Sequence, residues 1–208
     1  MLAFLPLVGA VVGALAGGAG WAATLVTPHV LGVAIAFGLS IVLTGALHID
    51  GFLDTSDAVF ASVRPARRLE ILKDPRHGTF ALAAFGMLVV VWPAALWSID
   101  PLRLPLALAF AGAAARWIAV SIAFAVPYGP SGVLPPRGVH AAMGLLVLAL
   151  GWSYWGHAVV LIALGGITFA VAFWLRSRLG GRLPGDCYGF LIVCTDVTIL
   201  AALPITSP

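Results

Sequence analysis

The stretch Leu47–His77 reads L-H-I-D-G-F-L-D-T-S-D-A-V-F-A-S-V-R-P-A-R-R-L-E-I-L-K-D-P-R-H, and it decides how the rest of the chain is read. It sets Asp50, Asp54, Asp57, Glu70 and Asp74 against Arg64, Arg67, Arg68, Lys73 and Arg76, ten of the chain's nineteen Asp, Glu, Lys and Arg residues. A chain with so few charges that gathers half of them in one segment uses them for chemistry or for a charged ligand. Asp50, Asp54 and Asp57 stand at i, i+4 and i+7, within about 60° of one another on a helix. Three like charges on one face repel, so a solvated helix gains nothing from this spacing. A divalent cation removes the objection, because carboxylate oxygens are what Mg²⁺ prefers. The stretch predicts a metal-binding acidic face on a helix over 50–60, which continues beyond an apolar span. A break follows at Ser62–Pro65, and then a short helix over 66–73 that Pro75 ends.

Working outward, the chain turns apolar on both sides. Of its 208 residues 62% are hydrophobic and 9% charged, with a mean hydropathy of +1.09. A soluble domain carries about 25% charged residues. The expectation is an all-α, polytopic membrane helix bundle forming a single integral membrane domain over 1–208. About 20 apolar residues cross a bilayer, which predicts about seven spans. They are 2–23, 30–46, 78–98, 104–126, the two halves of 139–175, and a short last span over 190–203. The run 139–175 is expected to divide at Trp152, Tyr154, Trp155 and His157, an aromatic cluster that suits a membrane interface. The N-terminal M-L-A-F-L-P-L-V-G-A has no basic region and reads as the start of a span rather than a cleaved signal. Gly9, Gly13 and Gly17 in that first span have the G-x-x-x-G spacing that permits close helix contact. Basic residues concentrate in 48–77 and 176–189, with Arg137 in 127–138. The positive-inside rule makes that side cytoplasmic, with the N-terminus inside and the C-terminus outside. The net charge of +3 reflects these loops and implies no nucleic-acid partner. Cys187 and Cys194 form no disulfide framework or metal motif.

A cytoplasmic acidic cluster beside arginines points to a phosphate or diphosphate substrate. Carboxylates hold the metal, the metal bridges phosphate oxygens, and Arg or Lys neutralises the remainder. Arg64, Arg67, Arg68, Lys73 and Arg76 supply the cations; by themselves they would also suit anionic lipid headgroups. His48 is a candidate general base, whereas His29, His77, His140 and His157, at span ends, are expected to be structural. The segment 176–189 carries G-G-R-L-P-G-D-C-Y-G, where Gly185 allows close backbone approach and Asp186 offers a fourth metal carboxylate. Arg116 and Asp196 are ionisable residues inside predicted spans, hence either functional or a buried pair. No H-E-x-x-H, P-loop or G-x-S-x-G is present, so hydrolase and P-loop readings have no support.

At this point a resemblance becomes specific. H-I-D-G-F-L-D-T-S-D over His48–Asp57, followed by R-L-E-I-L-K-D-P-R-H-G over Arg68–Gly78, resembles the cobalamin-5'-phosphate synthase family, the adenosylcobinamide-GDP ribazoletransferases. That family shows H-x-D-G-x-x-D-x-x-D, then R-L-E-I-M-K-D-x-R-x-G, at this separation. The early P-L-V-G-A and the later Gly181–Gly189 segment are also similar to family motifs. The departures are a shorter N-terminal arm, Pro184 with one extra residue in the later motif, Val193 where Glu is common, and no Arg after Tyr128. The resemblance implies Mg²⁺-dependent transfer of adenosylcobinamide phosphate from adenosylcobinamide-GDP to α-ribazole or its 5'-phosphate, with release of GMP. It implies a bacterial inner membrane and a cytoplasmic active face. On this reading Asp50, Asp54 and Asp57 hold the metal, with Asp186 available. Arg68, Lys73 and Arg76 bind diphosphate, Glu70 and Asp74 hold those cations or the metal, and Gly185 lies against substrate. His48 or a carboxylate takes the proton of the attacking ribose hydroxyl. Two alternatives remain open: a CDP-alcohol phosphotransferase-like lipid enzyme, and a non-enzymatic cation-binding membrane protein.

Overall fold

A computed structural model describes residues 2–126, 134–152 and 158–206, and every regular element among them is helical. The glycine spacing of the first span has a direct structural consequence. Helix α1 (Leu5–Thr24) runs antiparallel to α6 (Leu104–Ala125), and Gly9, Gly13 and Gly17 lie against the backbone at Gly112, Leu108 and Leu104. A Cβ at any of the three glycines would collide with a carbonyl of α6. In a bilayer, apolar side chains gain nothing by leaving lipid for a neighbouring helix, so close backbone approach and van der Waals packing supply the association.

Helices α6 and α9 (Gly185–Ala202) are mostly buried and form the centre of the bundle; α1 buries one face against α6, and α5 (Thr79–Trp97) is mostly exposed and faces outward. These four are long and apolar enough to span a membrane, so the chain is an integral membrane protein. A fifth crossing is possible by length if α2 (His29–Val42) and α3 (Leu47–Phe60) count together, although the pair is bent by 82°. The described residues thus show four or five of the about seven expected spans. α7 (Arg137–Leu150) has only 14 residues, and α8 (Ala158–Arg178) follows it. Of the cluster expected to divide 139–175, residues 153–157 lie outside the described residues, as do 127–133.

The bend between α2 and α3 corrects the expectation of one helix running on from the second span. Helix α2 ends in a Schellman motif. Gly45 takes the left-handed conformation (φ +59°), its N–H donates to Val42, and the Ala46 N–H donates to Ile41. These bonds occupy carbonyls that the broken helix would otherwise leave unpaired at membrane depth. Ala46 is also left-handed (φ 58°), and α3 starts directly after it. Ser62–Pro65 breaks the chain as expected, with Pro65 in the first turn of α4 (Pro65–Ile71). At the other end α9 begins five residues earlier than the expected last span, which leaves a loop of six residues, 179–184, between α8 and α9.

Candidate active site

Helices α3, α5 and α9 build the site. α3 meets the start of α9 at two glycines: Gly189 lies against the His48 carbonyl and the Gly51 Cα, and Gly51 faces the Asp186 backbone. A Cβ on Gly51 would stand 2.6 Å from the Asp186 carbonyl oxygen. The D-G pair thus has a local reason: Asp50 projects its carboxylate while Gly51 lets α9 bring Asp186 close. One turn further along the same seam, the Thr55 hydroxyl meets the buried Cys187 Sγ at 3.8 Å.

The three aspartates of α3 divide. Asp50 and Asp54 come together with His77, one ligand atom from each lying within 4.8 Å of the others. His77 Nδ1 is 3.5 Å from Asp54 Oδ1. Asp57 has other partners. Its carboxylate is buried and accepts hydrogen bonds from the Gly78 N–H and from the Ala81 N–H, the latter at 2.9 Å. Two donors that α5 leaves unpaired in its first turn are satisfied this way. Asp57 is therefore engaged as an anchor for α5, not drawn into the Asp50–Asp54 group as the i+7 spacing predicts. The anchor fixes Gly78, and so the adjacent His77, against Asp54. His77, expected to be structural, stands among the chemical groups; its place at the end of the R-L-E-I-L-K-D-P-R-H run was the available signal. Asp186, in the first turn of α9, acts electrostatically on both Asp50 and Asp54, and Gly185 is exposed at the start of that helix.

The basic residues divide as well. Arg68 is buried, and its guanidinium donates to the carbonyls of Ala61 and Arg178, both at 3.1 Å. Arg178 donates in turn to the Val59 carbonyl at 3.0 Å. The two arginines satisfy carbonyls at the end of α3 and tie α3, α4 and α8 together, a favourable place for cations. Arg68 is thus committed to backbone, against the expectation that it binds diphosphate. Glu70 pairs with Arg67 on an exposed face. Arg76 grips Asp74 through two side-chain bonds of 2.9 Å, which hold the Asp74 carboxyl at about 2, below the usual carboxylate range. Lys73 is exposed. Lys73 and Arg76 remain as accessible cations in the segment leading to His77.

His48 departs from the acidic face. It lines a partly open cavity with Arg116 and Asp196, and its Nδ1 is buried without a hydrogen-bond partner. Arg116 and Asp196 form the buried pair, 3.6 Å apart.

Two carboxylates one helical turn apart suit Mg²⁺, which is usually held by one or two carboxylates together with substrate phosphates. The donor set fits such an ion. Asp50 and Asp54 would be its ligands, with His77 and Asp186 adjoining.

Comparison with known proteins identifies the family. The sequence profile of the cobalamin-5-phosphate synthase family matches residues 1–204. The chain belongs to that family. Proteins named adenosylcobinamide-GDP ribazoletransferase are similar over nearly its full length. The one from Deinococcus radiodurans is 39% identical across 95% of this chain and 73% of its own. Those from Desulforamulus reducens (32%, covering 91% and 80%) and Pseudomonas savastanoi pv. phaseolicola (33%, covering 97% and 86%) are comparable. No solved structure matches. As a cobalamin-5-phosphate synthase family member the protein is a membrane-bound transferase of cobalamin biosynthesis, with small-molecule substrates.

Proposed function

We propose that the protein transfers the adenosylcobinamide-phosphate part of adenosylcobinamide-GDP to α-ribazole or α-ribazole 5'-phosphate, forming adenosylcobalamin or its 5'-phosphate and releasing GMP. The observation that carries this reading is the Asp50–Asp54–His77 group, in a chain of this family, at the end of a segment that presents Lys73 and Arg76. Asp50 and Asp54 would hold Mg²⁺, which when bound supplies positive charge against the diphosphate of the donor. Lys73 and Arg76 neutralise the diphosphate from the other side, and release of Asp74 from Arg76 frees a bidentate fork for phosphate. Asp57 positions His77 by holding Gly78. His77 is placed to accept the proton of the attacking ribose hydroxyl, a role for which His48, turned into the bundle, is less well placed. The basic loops around the site favour a cytoplasmic active face, and the bacterial sources of the relatives support a bacterial inner membrane.

The test is GMP release by the purified protein in nanodiscs, supplied with adenosylcobinamide-GDP, α-ribazole 5'-phosphate and Mg²⁺. GMP formed together with a cobalamin product, and abolished by EDTA, is the expected result. No GMP from folded protein would remove this assignment of substrates.

A further inference from the structure

Behind the acidic face, at the bend between α2 and α3, lies a cavity lined by Ser40, His48, Trp92, Arg116 and Asp196 from five different helices. Its buried polar atoms are not satisfied by protein. Arg116 is 4% exposed and Trp92 5%, yet Arg116 Nε, Trp92 Nε1 and His48 Nδ1 all lack a hydrogen-bond partner. Arg116 Nη1 donates to the Gly112 carbonyl at 3.0 Å and stands 3.6 Å from Asp196. That separation is long for a charge-assisted hydrogen bond. Leaving a buried N–H unpaired costs about 1–3 kcal/mol, and three at one place is a large deficit for one small region. The cavity offers about 30 Å³ to water centres. One water needs roughly 10–15 Å³ of such space and two to four polar partners, so two waters fit.

We propose that this cavity is a built hydration site, in which two ordered waters bridge His48, Trp92 and the Arg116–Asp196 pair, and that the pair thereby positions the first turn of α3. Water accepts from the Trp92 and Arg116 N–H groups and donates to the Asp196 carboxylate. It closes the gap across the ion pair and gives His48 Nδ1 its missing partner. Irregular backbone at membrane depth persists where it lines a wet or protein-filled space, and Thr44, from the bend itself, lines this cavity together with Ser40 of the last turn of α2. Asp50 begins two residues after His48. Arg116 and Asp196 are therefore positioning residues, acting on Asp50 through His48 and the start of α3.

Radiolytic hydroxyl labelling of the intact protein in nanodiscs, read by mass spectrometry, tests the hydration directly, because a buried ring is labelled only where water lies beside it. Trp92 should be labelled in the wild type and lose about fivefold or more of that label in Ser40→Leu, whose side chain fills the space. Equal labelling of Trp92 in the two proteins, or none in the wild type, overturns the site. Should Ser40→Leu fail to fold, Arg116→Met with Asp196→Leu is the second variant, since replacing both members of a buried pair by apolar groups is tolerated where removing one is not. The same double variant tests positioning. kcat should fall about tenfold while KM for the guanosine-diphosphate-linked substrate stays unchanged; an unchanged kcat overturns that part. The labelling arm needs no substrate, so its failure is separable from failure of the proposed reaction.

Discussion

Gly51 is the position where the packing of two helices and the geometry of the site meet. In Gly51→Ala the new Cβ would sit 2.6 Å from the Asp186 carbonyl oxygen and 3.2 Å from its carbonyl carbon and Cα. Ordinary contact begins near 3.4 Å. The obstacle is backbone, so no side chain can rotate away, and the start of α9 must retreat from α3 by about 0.8 Å. Overpacking of this kind costs roughly 1–3 kcal/mol, and a displacement near 1 Å between reacting groups costs about 10²-fold in rate. The expected result is a folded protein with kcat reduced about 10²-fold and a melting temperature in nanodiscs lower by roughly 2–10 °C. Initial rates of GMP release and a fluorescence melt measure both. Gly18→Ala is the control, since a Cβ there meets nothing within 4 Å. A Gly51→Ala protein with wild-type kcat and an unshifted melt would refute the claim that this glycine sets the approach of Asp186 to Asp50.

Other substitutions separate roles that the sequence alone merges. Asp57→Ala should cost about 1–3 kcal/mol by stripping the buried Ala81 N–H and the part-buried Gly78 N–H at the start of α5 of their acceptor, seen as a lower melting temperature alongside lost activity; Asp54→Asn should lose activity by about 10³-fold or more with an unchanged melt. Arg68→Met should lower the melting temperature and leave KM for the donor unchanged, whereas Arg76→Ala should raise that KM and leave the melt alone, because of the two only Arg68 is itself buried and bonded to backbone carbonyls of other elements. Gly13→Ile should prevent α1 from packing on α6, and size-exclusion profiles in detergent should show aggregated or unfolded material.

Much of this could be read from residue order. The G-x-x-x-G spacing of Gly9, Gly13 and Gly17 marks a face whose partner is now seen to be α6. The i, i+4 relation of Asp50 and Asp54 yields the acidic face, because one helical turn places both carboxylates together whatever surrounds them. Asp57 shares that face by angle, yet its partner depends on which helix end abuts it, and the N-terminus of α5 arrives from 21 residues away in the chain. Arg68 stands four residues before Leu72, and both are buried. That shared inward stripe was the signal that separates Arg68 from exposed Arg67, and the high arginine density masked it. The bend at Gly45 interrupts an apolar run with no charge to mark it. Only the glycine itself, in the left-handed cap position, records that α2 ends there.

The central claim is that Asp50 and Asp54, with His77 beside them, hold the divalent ion. Manganese titration of the intact protein in nanodiscs, followed by electron paramagnetic resonance, addresses it without any substrate. One Mn²⁺ bound in the wild type, displaced by Mg²⁺ and lost in Asp54→Asn but retained in Asp57→Asn, is the result this account predicts. Binding that survives Asp54→Asn unchanged, or that is lost in Asp57→Asn with the protein still folded, would contradict it.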